Sequence, residues 1–380
     1  MKAKSKRKGN FPPLRFPEFK AEWKRKKLGE VAEIVGGGTP DTNIDEYWDG
    51  NIQWFTPSEI KSNFVSKSIR TITELGLKKS SAKLLPIGAI LLTTRATIGD
   101  VAIAEQECAT NQGFQSLIVY KNVNNKFIAN WIRINKNKFI KLAKGSTFAE
   151  ISKKDIEKIN IFITELPEQN KIAFFLSLID ERISTQMKII EEWEKFRYGL
   201  RFQLFKQFKN DSVKVKPTKN LISYEQPTKY IVSDNNYSQN PLSTPVLTAN
   251  KAFILGYTNE RFGIYDKGDC IIFDDFTMDM KYVTFPFKVK SSAIKILKPK
   301  SNINLRYVFE YLLSLNLKSG EHKRHYISEI ASKTIPLLKR GQQNTIASLF
   351  LSLDYKIVIE KSLLSTYQQQ KKYLLQNLFI

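Results

Sequence analysis

The sequence holds few residues that bind metals or form disulfides, and these shortages exclude several kinds of site. Cys108 and Cys270 are the only cysteines among 380 residues, so no disulfide framework is expected and the chain looks reduced and cytoplasmic. His322 and His325 are the only histidines, and no convincing third metal ligand accompanies them. The longest apolar runs, such as residues 172–179, are far too short to cross a bilayer. We therefore expect no metal site and no membrane contact.

Motifs for cofactor chemistry are also missing. A Walker-type phosphate loop ends in Gly-Lys-Ser/Thr, whereas the glycines at 36–38 are followed by Thr-Pro, so a turn is expected there. A DNA amino-methyltransferase needs an Asn/Asp-Pro-Pro-aromatic motif, and the only Pro-Pro pair here is Pro12-Pro13, after Phe11. The sequence therefore predicts no cofactor site in this chain.

One short pattern leaves a catalytic alternative open. Asp41, followed by Glu59 and Lys61, has the order of a metal-dependent nuclease, in which carboxylates hold Mg²⁺ and a lysine assists the attacking water. The segment 279–281, Asp-Met-Lys, is a second and weaker match. Such short patterns arise often by chance in a highly charged chain. A stand-alone Mg²⁺-dependent DNA endonuclease is therefore kept as an alternative function.

Positive charge is what the chain has in excess. Its 60 lysines and arginines against 37 aspartates and glutamates give a formal net charge of +23. That excess attracts polyanions, chiefly nucleic acid, because each neutralised phosphate releases counterions. A hydrophobic share of 42% indicates folded domains, and the length is enough for two or three of them. Composition alone therefore favours a globular nucleic-acid-binding protein.

The most informative feature present is a long internal repeat. Residues 169–173, Gln-Asn-x-Ile-Ala, return as residues 343–347, an offset of 174 residues, and Asp180 meets Asp354 at the same offset. A period this long is not that of a solenoid, whose repeats run to roughly 20–50 residues. It indicates duplication of a whole domain together with a helix. A duplicated chain with pseudo-two-fold symmetry suits a symmetric partner or duplex DNA.

Two segments, 167–209 and 341–380, carry apolar residues at alternating steps of three and four. This heptad spacing predicts long helices, each spanning roughly 60 Å at 1.5 Å per residue. We predict that the two helices pair antiparallel as a coiled coil. The positions predicted to line the pairing are Ile183, Gln186, Ile190, Trp193, Arg197, Leu200, Ile357, Glu360, Leu364, Tyr367, Lys371 and Leu374.

The polar residues within the two seams also coincide under the repeat, Gln186 with Glu360 and Arg197 with Lys371. If the helices pack about the pseudo-two-fold axis of the duplication, Arg197 faces Glu360 and Gln186 faces Lys371. A polar pair inside an otherwise apolar seam would fix the register of the helices. The alternative is that these four residues lie at the edge of the seam.

The segments 1–166 and 210–340 have the pattern of β-rich globules, with short apolar runs between turn signals. Residues 1–12 are predicted to form a flexible basic tail, and residues 127–142 a helix. The predicted fold class is α+β, with two mixed α/β globules related by pseudo-two-fold symmetry and joined by two long antiparallel coiled-coil helices.

Polar and aromatic residues at predicted strand ends and loops are candidates for DNA contact. Arginine can read guanine, asparagine or glutamine can read adenine, and aspartate can accept from cytosine N4 in the major groove. Lysine and hydroxyl side chains more often hold phosphates. The candidates are Trp48, Gln53, Trp54, Thr93, Thr94, Arg95, Asn111, Gln112, Gly145, Ser146 and Thr147 in the first globule, and Thr248, Asn250, Lys251, Arg261, Asp274, Asp275, Lys323, Arg324 and His325 in the second.

At this point the chain resembles the specificity subunit of type I restriction–modification enzymes over essentially its whole length. The segments that carry the resemblance are 23–31, 37–40, 47–54 and 110–113 in the first half and 244–249, 273–277 and 285–289 in the second, together with the two Gln-Asn-x-Ile-Ala helices. The Pro-Pro-x-x-Glu-Gln helix entry usual in that family is eroded, to Leu-Pro-Glu-Gln at 166–169 and Arg-Gly-Gln-Gln at 340–343.

The resemblance implies a non-catalytic subunit in which each globule is a target recognition domain for one half of a bipartite, asymmetric site in double-stranded DNA. It implies two modification subunits that methylate adenine N6 with S-adenosylmethionine after flipping the base. It also implies restriction/translocase subunits that use ATP and Mg²⁺ to move along and cleave unmethylated DNA. These cofactors are expected on the partner subunits. An orphan DNA-binding regulator without catalytic partners is a further alternative.

Overall fold

A computed structural model gives the structure of the chain and describes residues 9–144, 149–210, 213–250, 252–300, 302–317 and 325–380. The chain divides into two compact units. Unit 1 consists of residues 1–186 and 363–380, and unit 2 of residues 187–362. Each unit combines sheets, short helices and part of both long helices, which confirms the predicted mixture of α and β structure.

The described part of unit 1 contains ten short strands, four short α-helices and the first part of a long helix. Their bounds are β1 Lys24–Lys27, β2 Ala32–Gly36, β3 Trp48–Phe55, β4 Phe64–Val65, β5 Arg70–Ile72, β6 Ile90–Leu92, β7 Val101–Ala104, β8 Cys108–Thr110, β9 Gln115–Val119, β10 Asn160–Ile163, α1 Glu74–Lys78, α2 Asn125–Ile134, α3 Lys136–Leu142, α4 Lys153–Glu157 and α5 Leu166–Asn210. The strands form a five-stranded sheet in the order β2-β9-β6-β7-β4, a three-stranded sheet β5-β3-β8, and the antiparallel pair β1-β10.

The helix predicted over residues 127–142 is divided into α2 and α3 at Asn135. The side-chain amide of Asn135 donates to the carbonyl of Trp131 at 2.9 Å, and its own backbone N–H donates to the same carbonyl. Asparagine competes in this way for the carbonyls that would continue the helix. The apolar periodicity continues across the break, which explains why the sequence pattern predicts a single helix.

Unit 2 repeats the plan of unit 1 with fewer strands. Its bounds are β11 Val215–Pro217, α6 Thr218–Leu221, β12 Ile222–Glu225, β13 Thr244–Leu247, β14 Ile254–Thr258, β15 Cys270–Asp274, β16 Met280–Val283, β17 Lys288–Val289, β18 Ile294–Pro299, α7 Leu305–Ser314, a π-helical turn Tyr326–Ile330, β19 Thr334–Pro336 and α8 Arg340–Asn377. The sheets are β12-β18-β15-β16, β14-β13-β17 and the antiparallel pair β11-β19. In both units a two-stranded pair therefore leads directly into a long helix.

The two long helices run antiparallel within each unit. In unit 1, Ile172 and Leu176 of α5 share a core with Leu374 of α8. In unit 2, Phe205 of α5 shares a core with Phe350 of α8. The predicted seam positions Gln186, Ile190, Ile357, Glu360 and Leu374 are buried, and Ile183, Trp193, Arg197, Leu200, Leu364, Tyr367 and Lys371 are half-buried.

The predicted polar register between the helices is wrong. Arg197 bonds to Asp354 rather than to Glu360, and Lys371 pairs with Asp180 rather than with Gln186. The two observed pairs are equivalent to each other under the repeat, since Asp180 corresponds to Asp354 and Arg197 to Lys371. The symmetry of the pairing was thus predicted, but each partner lies six residues earlier than expected, on α8 for Arg197 and on α5 for Lys371.

The reason for this register lies in the globular part of each unit. Asp354 also accepts from Arg306 of α7, and Asp180 also accepts from the side-chain amide of Asn63 at 3.1 Å. Each aspartate therefore fixes a long helix to a globule as well as to the other helix. A pattern confined to the two helices could not reveal this second partner.

The repeated Gln-Asn pair has a structural explanation in unit 1. The backbone N–H of Asn124 donates to Gln169 Oε1 at 2.9 Å, and the side-chain amide of Asn124 donates to Asn170 Oδ1 at 2.8 Å. Asn124 is also the N-cap of α2, because its side chain accepts from the N–H of Phe127. Gln169 donates in turn to the carbonyl of Thr164 at 2.8 Å. One motif therefore holds the start of the long helix against the start of α2.

Unit 2 repeats this arrangement atom for atom. The N–H of Asn304, the N-cap of α7, donates to Gln343 Oε1 at 2.9 Å, and its side-chain amide donates to Asn344 Oδ1 at 2.9 Å. Gln343 donates to the carbonyl of Leu338 at 2.8 Å. The duplication thus preserves the joint between globule and long helix, and we call this arrangement the Gln-Asn joint.

Replacing Gln343 with alanine is expected to lower the free energy of unfolding by about 1–3 kcal/mol, because a partly buried N–H and a buried carbonyl lose their partners. Gln169→Ala should have a matching effect in unit 1. Chemical denaturation of the full chain measures both. Gln203→Ala, on an exposed face of α5, is the control and should change stability by less than about 0.5 kcal/mol. Equal costs for Gln343→Ala and Gln203→Ala would contradict the joint.

Both cysteines are buried and free, and burial raises the pKa of each thiol to about 12. The thiols are therefore protonated and unreactive at neutral pH. Among the described residues, no helix has both the length and the apolar character needed to cross a membrane.

Candidate DNA interface

Three loops of unit 1 meet beside the ends of its strands. The backbone N–H of Gly38 donates to the carbonyl of Thr110 at 2.8 Å, and the N–H of Thr94 donates to the carbonyl of Gly113 at 2.7 Å. The loop at 36–40 approaches so closely that a Cβ on Gly37 would lie 2.0 Å from a backbone oxygen of the loop at 110–114. Glycine is required there because of this approach and not because of a phosphate. We call the segments 36–40, 93–100 and 110–114 the loop cluster.

The aromatic candidates of unit 1 pack against each other, and one of them donates a hydrogen bond to the loop cluster. Trp48 and Trp54 are buried and pack edge to face with ring centroids 5.1 Å apart. The indole N–H of Trp54 donates to the carbonyl of Gly38 at 2.9 Å. Gln53 accepts from the backbone N–H of Ser68 at 2.8 Å. These three candidates are engaged in holding loops and strands together.

The threonine candidates close the turn at 93–100. Thr93 and Thr94 are fully buried. The hydroxyl of Thr93 donates to the carbonyl of Thr97 at 2.6 Å, and the hydroxyl of Thr94 donates to that of Gly113 at 3.2 Å. The Asn111 side chain similarly accepts from the N–H of Gly113 at 2.8 Å. Polar side chains at turns often bond to nearby backbone in this manner.

Arg95 and Gln112 are the described candidates of unit 1 that project toward solvent. Arg95 lies near the tip of the turn at 93–100 and its guanidinium contacts Glu150 at 2.7 Å. Gln112 is exposed and its side-chain oxygen accepts from the hydroxyl of Thr39. The candidates Gly145, Ser146 and Thr147 lie outside the described residues. Base contact by Arg95 and Gln112 stays a prediction that the geometry permits.

The two aspartate candidates of unit 2 serve the fold. Asp274 accepts from the backbone N–H groups of Phe276 and Thr277 at 2.9 and 3.0 Å, which closes a turn. Asp275 is buried and accepts from the N–H of Tyr326 at 2.8 Å. Both carboxylates are buried and each accepts from backbone N–H through its Oδ1, so their contact with cytosine stays a prediction.

Some of the remaining described candidates of unit 2 are buried and others are exposed to solvent. His325 is buried with its ring 2.9 Å from Glu329, and Thr248 is also buried. Asn250 and Arg261 are exposed and remain available for DNA. The candidates outside the described residues are Lys251, Lys323 and Arg324.

Arg70 is an exposed cation beside the loop cluster that the sequence analysis did not identify as a candidate. The guanidinium of Arg70 in β5 lies 3.5 Å from the centroid of the Trp48 ring. This contact depends on the pairing of β5 with β3, which places Arg70 opposite Trp54. β3 and β5 are separate segments of the chain, and their pairing produces no local sequence motif. No sequence signal therefore identifies Arg70.

The predicted nuclease residues do not form a metal centre. Glu59 accepts from the N–H of Thr56 at 2.7 Å and from the N–H of Ile69 at 2.7 Å, so both its oxygens hold backbone. Asp41 accepts from the N–H of Asn43 at 3.0 Å. Within the described part of the chain, no group of three or more His, Cys, Asp or Glu side chains is arranged to hold a metal ion. The short carboxylate pattern is explained by turns.

A family model described as the type I restriction modification DNA specificity domain matches residues 20–195. A type I restriction enzyme specificity subunit of Methanocaldococcus jannaschii, MjaIX, is 36% identical over 204 residues, which cover 52% of this chain and 46% of the relative. The EcoR124I/EcoR124II specificity subunit of Escherichia coli is 46% identical over 135 residues, 33% of each protein. The matched part of this chain therefore spans less than half the length of these relatives.

Solved structures resemble the chain over nearly its full length. The S subunit of a type I restriction–modification system from M. genitalium gives a TM-score of 0.61 at 17% identity, covering 97% of this chain and 99% of that one. A chain from a study of assembly and conformational transition of the type I R-M system gives 0.57 at 14% identity with the same coverage. At these identities the likeness concerns the fold.

Proposed function

We propose that the chain is a type I restriction–modification specificity subunit, the non-catalytic subunit that selects the DNA sequence on which a methyltransferase–nuclease complex acts, and the match of residues 20–195 to that family's DNA specificity domain supports this. Each unit would read one half of a bipartite, asymmetric site in double-stranded DNA. The long helices would set the distance between the two half-sites, as spacing does in other dimeric DNA-binding proteins.

The repeated Gln-Asn joint is the observation that supports the proposal most strongly. The same Gln-Asn joint fixes a long helix to a separate globule in each unit, so the duplication has conserved the connection while the loops have diverged. The loop cluster of unit 1 has a hydrogen-bonded scaffold and an accessible rim with Arg95 and Gln112. A rigid support that carries accessible side chains on loops is what independent readers of two DNA sequences require.

Partners follow from the same proposal. Two modification subunits would dock on the long helices, whose outer faces expose large apolar side chains such as Phe174, Phe202 and Tyr355. S-adenosylmethionine, ATP and Mg²⁺ would be bound by the modification and restriction/translocase subunits, in the cytoplasm. An orphan regulator is the second possibility, and copurification with a methyltransferase subunit distinguishes the two. Glu59 and Asp41 give the nuclease alternative no support.

Exchanging residues 1–165 for those of a relative with a different site is expected to change one half of the methylated motif and leave the other half intact. The reason is that the loop cluster lies wholly within this segment. Sequencing N6-methyladenine in the host genome reads the motif directly. The matched exchange of residues 213–338 should change only the other half. A change of both halves by either exchange would refute independent reading, and Mg²⁺-dependent nicking by the purified chain would favour the nuclease.

A further inference from the structure

Unit 1 contains a cationic cavity of about 300 Å³ that adjoins the loop cluster at the end of the segment 93–100. It opens where the segment after Glu59, the end of the turn at 93–100 and the junction of α2 with α3 meet. Its volume lies at the lower end of the range for ligand pockets. The lining residues are Ile60, Lys61, Ser62, Asn63, Gly99, Asp100, Val101, Arg133 and Lys136. We call it the Arg133 cavity.

Arg133 brings an incompletely matched positive charge to this cavity. Its Nη1 donates to Asn130 Oδ1 at 3.0 Å, and its Nη2 donates to the carbonyls of Asn63 and Val101 at 3.4 and 3.3 Å. All three acceptors are neutral. Burial lowers the pKa of Arg133 to about 10, with the carboxylate of Asp180 acting in the opposite direction, so the guanidinium is charged at neutral pH.

The geometry leaves part of this guanidinium free to bind an anion. A guanidinium has five N–H donors, and neutral protein acceptors occupy three of those of Arg133. No acceptor among the described residues takes the remaining two, at Nε and Nη1. Arg133 forms no ion pair with a carboxylate of the described chain, and Asp180, the carboxylate that acts on its pKa, is paired with Lys371.

Two lysines strengthen the positive field. Lys61 is exposed, with no ion-pair partner in the described chain, whereas Lys136 contacts Asp100 at 2.6 Å. The three cations and the single carboxylate of the lining sum to a formal charge of +2, and the nearby carboxylate of Asp180 is itself paired with Lys371. An anion would be repelled by Asp100, but Lys136 lies directly against that carboxylate and offsets it.

We propose that the Arg133 cavity binds a backbone phosphate of the target DNA and so positions the loop cluster on the duplex. This inference rests on the proposed function. Gly99 and Asp100 line the cavity and also end the turn that carries Arg95, since the N–H of Gly99 donates to the carbonyl of Thr93 at 2.9 Å. A phosphate held there would fix that turn, because phosphate contacts set the register in which base contacts are made.

Gly99 explains why the turn can end on the cavity wall. Its φ is +84°, and a Cβ at this position would lie 2.8 Å from Cγ of Lys136. Glycine therefore allows the turn to pack against the lysine that lines the cavity. A larger residue would displace either the turn or Lys136.

The test compares Lys61→Ala with wild type in the full chain, using duplex DNA at a series of salt concentrations. Losing one phosphate contact reduces the slope of log K against log salt by about 0.9. Affinity should fall to a similar extent on cognate and unrelated duplexes, because a phosphate contact carries no sequence information. Lys121→Ala, an exposed lysine of unit 1 outside the cavity, is the matched control and should leave the slope unchanged.

Arg133→Gln provides the second arm, and thermal melting shows whether it remains folded. Inorganic phosphate should perturb the Nε–H resonance of Arg133 in wild type, and saturating duplex DNA should displace the phosphate. Equal salt slopes for Lys61→Ala and Lys121→Ala would overturn the inference, as would phosphate that stays bound at saturating DNA. Failure of wild type to bind any duplex would instead contradict the proposed function.

Discussion

Replacing Glu310 with glutamine is expected to lower the free energy of unfolding of unit 2 by about 3–5 kcal/mol, because it leaves the buried guanidinium of Arg201 without its counter-ion. Glu310 is completely buried on α7, and Arg201 on α5 is 8% exposed. Glu310 Oε2 accepts from Arg201 at 2.8 Å, while Glu310 Oε1 accepts from Arg306 at 2.8 Å. Glutamine keeps the shape of the side chain but removes the charge that both guanidinium groups share.

The effect should be larger than that of an isolated ion pair because Glu310 belongs to a network. Arg306 also bonds to Asp354 of α8, and Asp354 bonds to Arg197 of α5. The network therefore joins the globular part of unit 2 to both long helices. Removing a member of such a network lowers the stability of the protein more than breaking a surface ion pair does.

Urea denaturation of the full chain measures the change in the free energy of unfolding. Amide hydrogen exchange in α7 measures the loss of stability in unit 2. The control is Glu194→Gln, which breaks an exposed pair with Lys361 and should cost about 0–1 kcal/mol. In an Arg201→Met background the cost of Glu310→Gln should shrink, because one of the two cations is already absent. An unchanged cost in that background would show that Glu310 acts independently of Arg201.

Replacing Phe379 with alanine is expected to destabilise unit 1 by about 3–5 kcal/mol, the usual cost of removing a buried phenylalanine. Phe379 is 3% exposed although it follows the end of α8. Its ring centroid lies 4.9 Å from that of Phe127 in α2 and 6.5 Å from that of Trp23. Residues far apart in the sequence thus complete one core.

The structural reason makes the expected loss specific to unit 1. Leu374 and Leu378 belong to the same core as Phe379, so residues 363–380 are part of this unit although they follow unit 2 in the chain. Amide exchange in α2 should accelerate in Phe379→Ala, while exchange in α7 stays as in wild type. Phe174→Ala, which removes a phenylalanine that is 63% exposed, is the matched control. Equal losses of stability in the two variants would contradict this packing.

Local and periodic features of the fold were within reach of sequence reasoning. The heptad spacing predicted the long helices, which run Leu166–Asn210 and Arg340–Asn377. Strands such as Cys270–Asp274 follow from short apolar runs between turn residues. The break at Asn135 was missed because the apolar period continues through it. Periodicity reports which face is buried and is insensitive to a local change in hydrogen bonding.

The candidate site was less accessible to prediction. Trp48, Thr93 and Asp275 had the residue types of DNA contacts but are buried in the fold, whereas Arg95 and Gln112 are accessible. A hydroxyl or carboxylate at a loop bonds equally well to backbone or to a ligand, so its type does not decide between them. The decision depends on which other loop lies within about 3 Å, the length of a hydrogen bond.

By itself the sequence determined that two copies of a globule and a long helix follow one another, because the repeat and the heptad spacing are properties of the chain order. Only the tertiary structure decided that Asp180 and Asp354 set the helix register and that Phe379 completes the core of unit 1. It also gathered Lys61, Arg133 and Lys136 around one cavity. Such assignments depend on distances between residues that are remote in sequence, and chain order carries no record of those distances.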